Sequence, residues 1–116
     1  MYLRCAYFEG DVPARHRERF DAIVNEQIAP KMLTFPGIRH LRILRGREHE
    51  APERRIYLVI EHGYDALEAI RLAVTSEARA SMQSALDELM PLFEGRVYHV
   101  NYEAKTFHLR DDTART

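Results

Sequence analysis

The chain has 116 residues, enough for one domain, and its 17 Lys and Arg against 18 Asp and Glu leave a formal net charge of −1. That balance gives no support for a nucleic-acid partner or a polybasic membrane contact, and no apolar run approaches the ~20 residues of a membrane span. The start Met1-Tyr2-Leu3-Arg4 lacks the apolar stretch of a secretory signal, and the lone Cys5 excludes an internal disulfide framework, so the expected setting is cytoplasmic.

Tyr2 to Phe8 reads as a first strand, rich in aromatics and bounded by Gly10. Asp11 ahead of Pro13 fits a helix start. The helix that follows carries Phe20, Ile23, Val24 and Ile28 at helical spacing, and Pro30 is expected to end or kink it near Ala29. Ile38 to Arg45 is the second strand and Arg55 to Glu61 the third, joined by a charged loop through Pro52 and followed by a break at Gly63. His49 in that loop is expected to be exposed. Asp65 with Glu68 resembles a capping box, opening a helical piece with Leu67, Ile70 and Val74. Thr75-Ser76 predicts a new cap, followed by Ala78, Met82, Ala85, Leu86, Leu89 and Met90 on one face up to Pro91. Arg96 to Glu103 is the last strand. The order is βαββαβ, an α+β, ferredoxin-like arrangement on an antiparallel sheet, with both helices on one face. The domain is expected over 1–110, with a flexible polar tail over 111–116.

Strand alternation sorts the side chains into two sets. Leu3, Cys5, Tyr7, Leu41, Ile43, Ile56, Leu58, Ile60, Tyr98, Val100 and Tyr102 form an apolar set, expected under the helices. The other set mixes Phe8, Ile38, Leu44, Val59 and Val97 with Arg4, His40, Arg42, Tyr57, Glu61, His99 and Asn101. Such a face is too apolar to be left wet and too charged to be dry. It is expected to close over a cavity against a second copy of the chain.

The run Ala29-Pro30 … Phe35-Pro36-Gly37-Ile38-Arg39 and the helix break at Thr75-Ser76-Glu77 resemble the EthD-like (ethyl tert-butyl ether degradation) family of the dimeric α+β barrel superfamily. The resemblance covers the chain from Met1 to about Glu103. Relatives often carry a histidine just before the Ala-Pro pair; here Ile28 stands there, after Gln27, so no role passes to that position. The resemblance implies a dimeric α+β barrel, a homodimer through its sheet faces, with a pocket between sheet and helices or inside the barrel. Related barrels include cofactor-free monooxygenases, lactone isomerases and haem-degrading enzymes, so the fold implies no single reaction.

The candidate catalytic residues are His40, Arg42, Glu61 and His99, offering proton transfer near neutral pH beside a cation and a carboxylate. Arg4, Phe8, Ile38, Leu44, Tyr57, Val59 and Asn101 are the candidate substrate-binding residues. Two structural alternatives stand beside these roles: an Arg42–Glu61 ion pair with a half-solvated His40, and an interface network of Arg4, His99 and Asn101. A metal shared by His40, His99 and Glu61 is not expected, because the outer strands stand about 14 Å apart across three strand spacings. No cofactor is expected either. These readings point to a small-molecule-binding barrel, a cofactor-independent monooxygenase or isomerase for a hydrophobic carbonyl or phenolic catabolite. The alternatives are a non-catalytic accessory or carrier protein of a catabolic oxygenase pathway, or a plain homodimeric interaction module.

Overall fold

The computed structural model describes residues 1–109; the expected 111–116 tail lies outside them. Strands β1 (Tyr2–Asp11), β2 (His40–Arg45), β3 (Ile56–Tyr64) and β4 (Glu94–Glu103) form one sheet in the order β2-β3-β1-β4. Every neighbouring pair is antiparallel. This is the ferredoxin-like α+β fold that the element order predicts.

Two glycines behave otherwise than expected. β1 runs on through Gly10, which faces Gly95 of β4. Both have φ near +146° to +147°, and a Cβ on either would strike the backbone of the other strand. Gly63 does not break β3 but pairs with Leu3 on one side and His40 on the other, carrying the strand to Tyr64.

The first helical layer is α1 (Ala14–Ile23), a π-helical turn (Val24–Ile28) and α2 (Ala29–Met32). Pro30 does not end it. A proline clashes with the carbonyl four residues back, but here the turn before it is wide, with the Ala29 N–H donating to the Val24 carbonyl, five residues back. Asp11 does not cap α1; it accepts the Val12 N–H at 2.9 Å and faces Arg17 at 3.4 Å. The second layer is α3 (Leu67–Val74), α4 (Glu77–Ala80) and α5 (Gln83–Leu89). The Asp65 capping box is not formed, and Asp65 meets Arg39 at 3.6 Å instead. The Ser76 cap is formed, its Oγ accepting the Arg79 N–H at 3.1 Å. His49 is half-buried rather than exposed, its Nε2 accepting the Ile56 N–H at 3.0 Å. Among the described residues no helix is long and apolar enough to cross a membrane.

The helices cover one face of the sheet. Phe20, Ile23, Val24 and Ile28 are at most 1% exposed, as their spacing predicts. Phe8 packs edge-to-face on Phe20 and Phe93, with centroids 5.9 and 5.3 Å apart. Leu58 and Ile60 lie in this core, with Leu41 and Ile43 packed against it. β1 and β4 have the opposite phase to the one expected. Ala6 and Phe8 are in the helix-covered core, whereas Cys5 stands opposite Glu61 on one side and Val100 on the other. Directly opposed residues share a face. Leu3, Cys5 and Tyr7, with Tyr98, Val100 and Tyr102, therefore lie on the outer face. Cys5 is buried there by its neighbours, not by the helices.

Candidate functional site

The phase of β1 and β4 divides the expected mixed face into two groups on opposite sides of the sheet. On the outer face, register places Arg42 opposite Glu61, and His40 opposite Gly63. The His40 ring lies where a Cβ on residue 63 would stand, so glycine there lets the imidazole reach back along β3. His40 Nε2 donates to Glu61 Oε2 at 2.9 Å, and Arg42 donates to both carboxylate oxygens at 2.8 and 2.9 Å. The Arg42 hydrogen bonds hold the Glu61 carboxyl below the usual range, although burial opposes them. Beside them Tyr7 stacks on Tyr98 at 5.3 Å and shares a hydrogen bond with the Tyr102 hydroxyl. Burial and the Glu61 charge push the Cys5 thiol up, making it a poor nucleophile. Within this network the Glu61 carboxylate is engaged by both Arg42 and His40.

The inner side is different. A cleft of about 650 Å³ opens between the sheet and the two helical layers. Its floor is Arg4, Ala6, Ile60, His62, Val97 and His99, from β1, β3 and β4. Ile28, Met32 and Phe35 form one wall, and Val74, Met82 and Leu86 another. Arg79 and Gln83 add polar groups from the second helical layer. The size and the apolar walls suit a small organic ligand.

His62 is only 3% exposed, and its Nδ1 lies 2.6 Å from the Tyr64 hydroxyl. Among the described residues the ring makes no other hydrogen bond, and no buried side-chain nitrogen is left unpartnered, so Nε2 opens to the cleft. Burial, helped by the charges of Arg4, His99 and His40, drives its pKa down to about 4, so the ring is neutral at pH 7. Burial pushes the Tyr64 hydroxyl up to about 12, keeping it protonated. His99 is lowered as well, by burial and then by the Arg4 and Arg79 cations. Arg4 Nη1 donates to Asn101 Oδ1 at 3.1 Å.

Of the residues singled out in the sequence, Arg4 and His99 line the cleft and Asn101 holds Arg4 at its edge. Phe8 is in the core and Ile38 packs against it. Tyr57 packs on Phe20 at 5.4 Å, its hydroxyl 3.4 Å from Asp21. Leu44 and Val59 are opposed on the outer face, with His40, Arg42 and Glu61. Neither His62 nor Arg79 was among the candidate residues drawn from the sequence. Extending the third strand's alternation through Leu58, Ile60 and His62 to Tyr64 would have found the first. Nothing in the pattern of α4 marked the second. Among the described residues no three His, Cys, Asp or Glu side chains are grouped to hold a metal.

The neutral, buried His62 has a consequence for stability. Between pH 6.5 and about 4 the unfolded chain binds a proton at this ring that the folded chain does not. Stability therefore falls as pH drops through that window, by about 2 kcal/mol from pH 7 to pH 5. Urea unfolding should show His62→Gln losing about that much less over the same interval. Glu61 works in a different window: its contribution is present above its ordinary value of 4.5 and is lost only as pH falls further.

No model of a protein family matches this sequence, nor does any curated protein. Solved structures do match. An EthD family protein from Bacillus halodurans superposes with a TM-score of 0.73 at 20% identity, over 90% of this chain and 99% of that one. A monooxygenase of Streptomyces coelicolor, in complex with nanaomycin D, gives 0.64 at 16% identity, over 95% and 92%. A dimeric protein of ferredoxin-like fold from Bacteroides fragilis gives 0.63 at 16% identity, over 89% and 95%. The chain thus has the fold that its resemblance to EthD-like barrels implies.

Proposed function

We propose that this chain is a cytoplasmic, homodimeric small-molecule-binding barrel whose inner cleft moves a proton on a hydrophobic carbonyl or phenolic catabolite, as a cofactor-independent monooxygenase or isomerase does. The observation that carries this reading is the neutral His62, with Nε2 open to an apolar cleft beside Arg4. A neutral imidazole is ready to accept a proton, and a nearby guanidinium favours the enolate or phenolate left behind. Burial is the main cause of the low His62 pKa and the Arg4 charge the next, so an anion formed beside Arg4 would restore only part of the ring's basicity. His99 is a second proton carrier at the open end. For Nε2 of His62 to accept the ligand's proton, Nδ1 must carry the ring hydrogen and donate it to the Tyr64 oxygen, so this contact sets both the orientation and the tautomer of His62.

The dimer is supported by the outer face, where Leu44, Tyr98 and Tyr102 are 37–40% exposed around the Glu61 network, and by the dimeric Bacteroides protein of the same fold. The monooxygenase complex with nanaomycin D supports a small-molecule ligand. In this reading His40, Arg42 and Glu61 tie the sheet face that meets the second copy, and catalysis falls to His62 and His99.

The test uses 1,8-dihydroxyanthrone, a hydrophobic phenolic ketone with an enolisable carbon. Loss of a C–H proton followed by reaction with O2 gives the anthraquinone and water. Oxygen uptake with matching quinone formation, well above the buffer rate, is expected from the wild-type protein. Binding without turnover of this probe, or of an isomerisable ketone, would favour the carrier reading.

A further inference from the structure

We infer that the ligand of the inner cleft is an anion, held by its charged end between Arg4 and Arg79 while its hydrophobic body lies against Val74, Met82 and Leu86. This rests on the cleft being the ligand site and adds the charge of what enters it. Both guanidinium groups line the same cleft, one from the sheet and one from the second helical layer. Neither is neutralised: among the described residues Arg4 bonds only Asn101, and Arg79 through its side chain only Gln83, at 3.3 Å. No acidic side chain lines the cleft, and neither arginine has a carboxylate within ion-pair distance among the described residues.

Most of the other described arginines find acids, among them Arg19 with Glu88 at 2.9 Å, Arg45 with Asp21 at 3.0 Å and Arg42 with Glu61 at 2.8 Å. Arg15, Arg47 and Arg54 do not among the described residues, but none of these three lines the cleft. Two like charges beside apolar walls repel each other and raise the local potential. Arg4 feels this, its pKa lowered first by burial and further by Arg79. A carboxylate or an ionised phenol would relieve the repulsion and accept the unused guanidinium donors. A neutral ligand of the same shape would bury its apolar part but leave both cations uncompensated. Neutral His62 adds no opposing charge at pH 7, so the field of the cleft favours anions.

The experiment compares 1-naphthoate with 1-naphthamide, nearly equal in shape and opposite in charge state, by amide-resonance titration of the full chain at pH 7.5. Naphthoate is expected to bind at least about tenfold more tightly, shifting Ala6, Ala80 and Leu86. Arg79→Gln should remove most of that preference and leave naphthamide affinity unchanged, while Arg79→Lys should keep part of it. Raising the salt concentration on the wild-type protein should weaken naphthoate alone, which tests the charge without any variant. Equal affinities for the two probes, or an equal loss of both in Arg79→Gln, would overturn the inference and leave the cleft as the ligand site. If neither probe shifts cleft resonances, the cleft reading fails and this inference with it.

Discussion

Val100→Arg is expected to turn the proposed dimer into a monomer, raising its dissociation constant by about 10³-fold, or about 4 kcal/mol. Val100 stands opposite Cys5 on the outer face, between Tyr98 and Tyr102 along the edge strand β4. Tyr98 and Tyr102 are 37% and 40% exposed, and Leu44 on β2 is 39% exposed. Aromatic and aliphatic groups of this kind are buried anchors when two sheets pack face to face. An arginine between these aromatics would carry a charge into the sheet-to-sheet contact, where Glu61 is already held by Arg42 and His40. Sedimentation velocity over a range of concentrations reads the change directly. A wild-type chain that stays monomeric at high concentration, or a variant that dimerises as before, would contradict the barrel.

His62→Gln should lower turnover of 1,8-dihydroxyanthrone by about 10²- to 10³-fold, within the usual range for a lost general base. Glutamine keeps a polar group near Tyr64 and fills similar space, but cannot take up the proton. The loss should fall on kcat more than on KM, since in the proposed binding mode the ligand's main contacts are the apolar walls and the arginines. His99→Gln should cost less, because that ring lies on the more open β4 edge. A full loss on Glu61→Gln with His62→Gln unaffected would move the chemistry to the outer face.

Much of the architecture was legible in the residues. Phe20, Ile23, Val24 and Ile28 announced a buried helix face, Ser76 announced a cap, and four strands in βαββαβ order set the topology. Leu58 and Ile60 were placed on the correct face. The phase of β1 and β4 was not legible. Each has two faces with apolar or aromatic residues, so alternation does not say which one meets the helices. Tyr98, Val100 and Tyr102 read as core residues because aromatic strands usually are. Here that surface belongs to the outer face, while Arg4 and His99 go inward because the helices there leave a cleft rather than a sealed core. The same phase error joined His40, Arg42 and Glu61 to Arg4 and His99. Pro30 misled for a local reason, because the π turn before it changes the spacing that makes proline a breaker. His62 was half visible: the third strand was stopped at Glu61, and only a strand continuing through Gly63 shows the imidazole in phase with Ile60.

The most direct measurement is a structure of the protein with 1-naphthoate bound. The ligand is expected in the inner cleft, its carboxylate between Arg4 and Arg79, its rings against Met82 and Leu86, and His62 Nε2 facing it. Ligand found on the outer face beside Arg42 and Glu61, with the inner cleft empty, would contradict that placement.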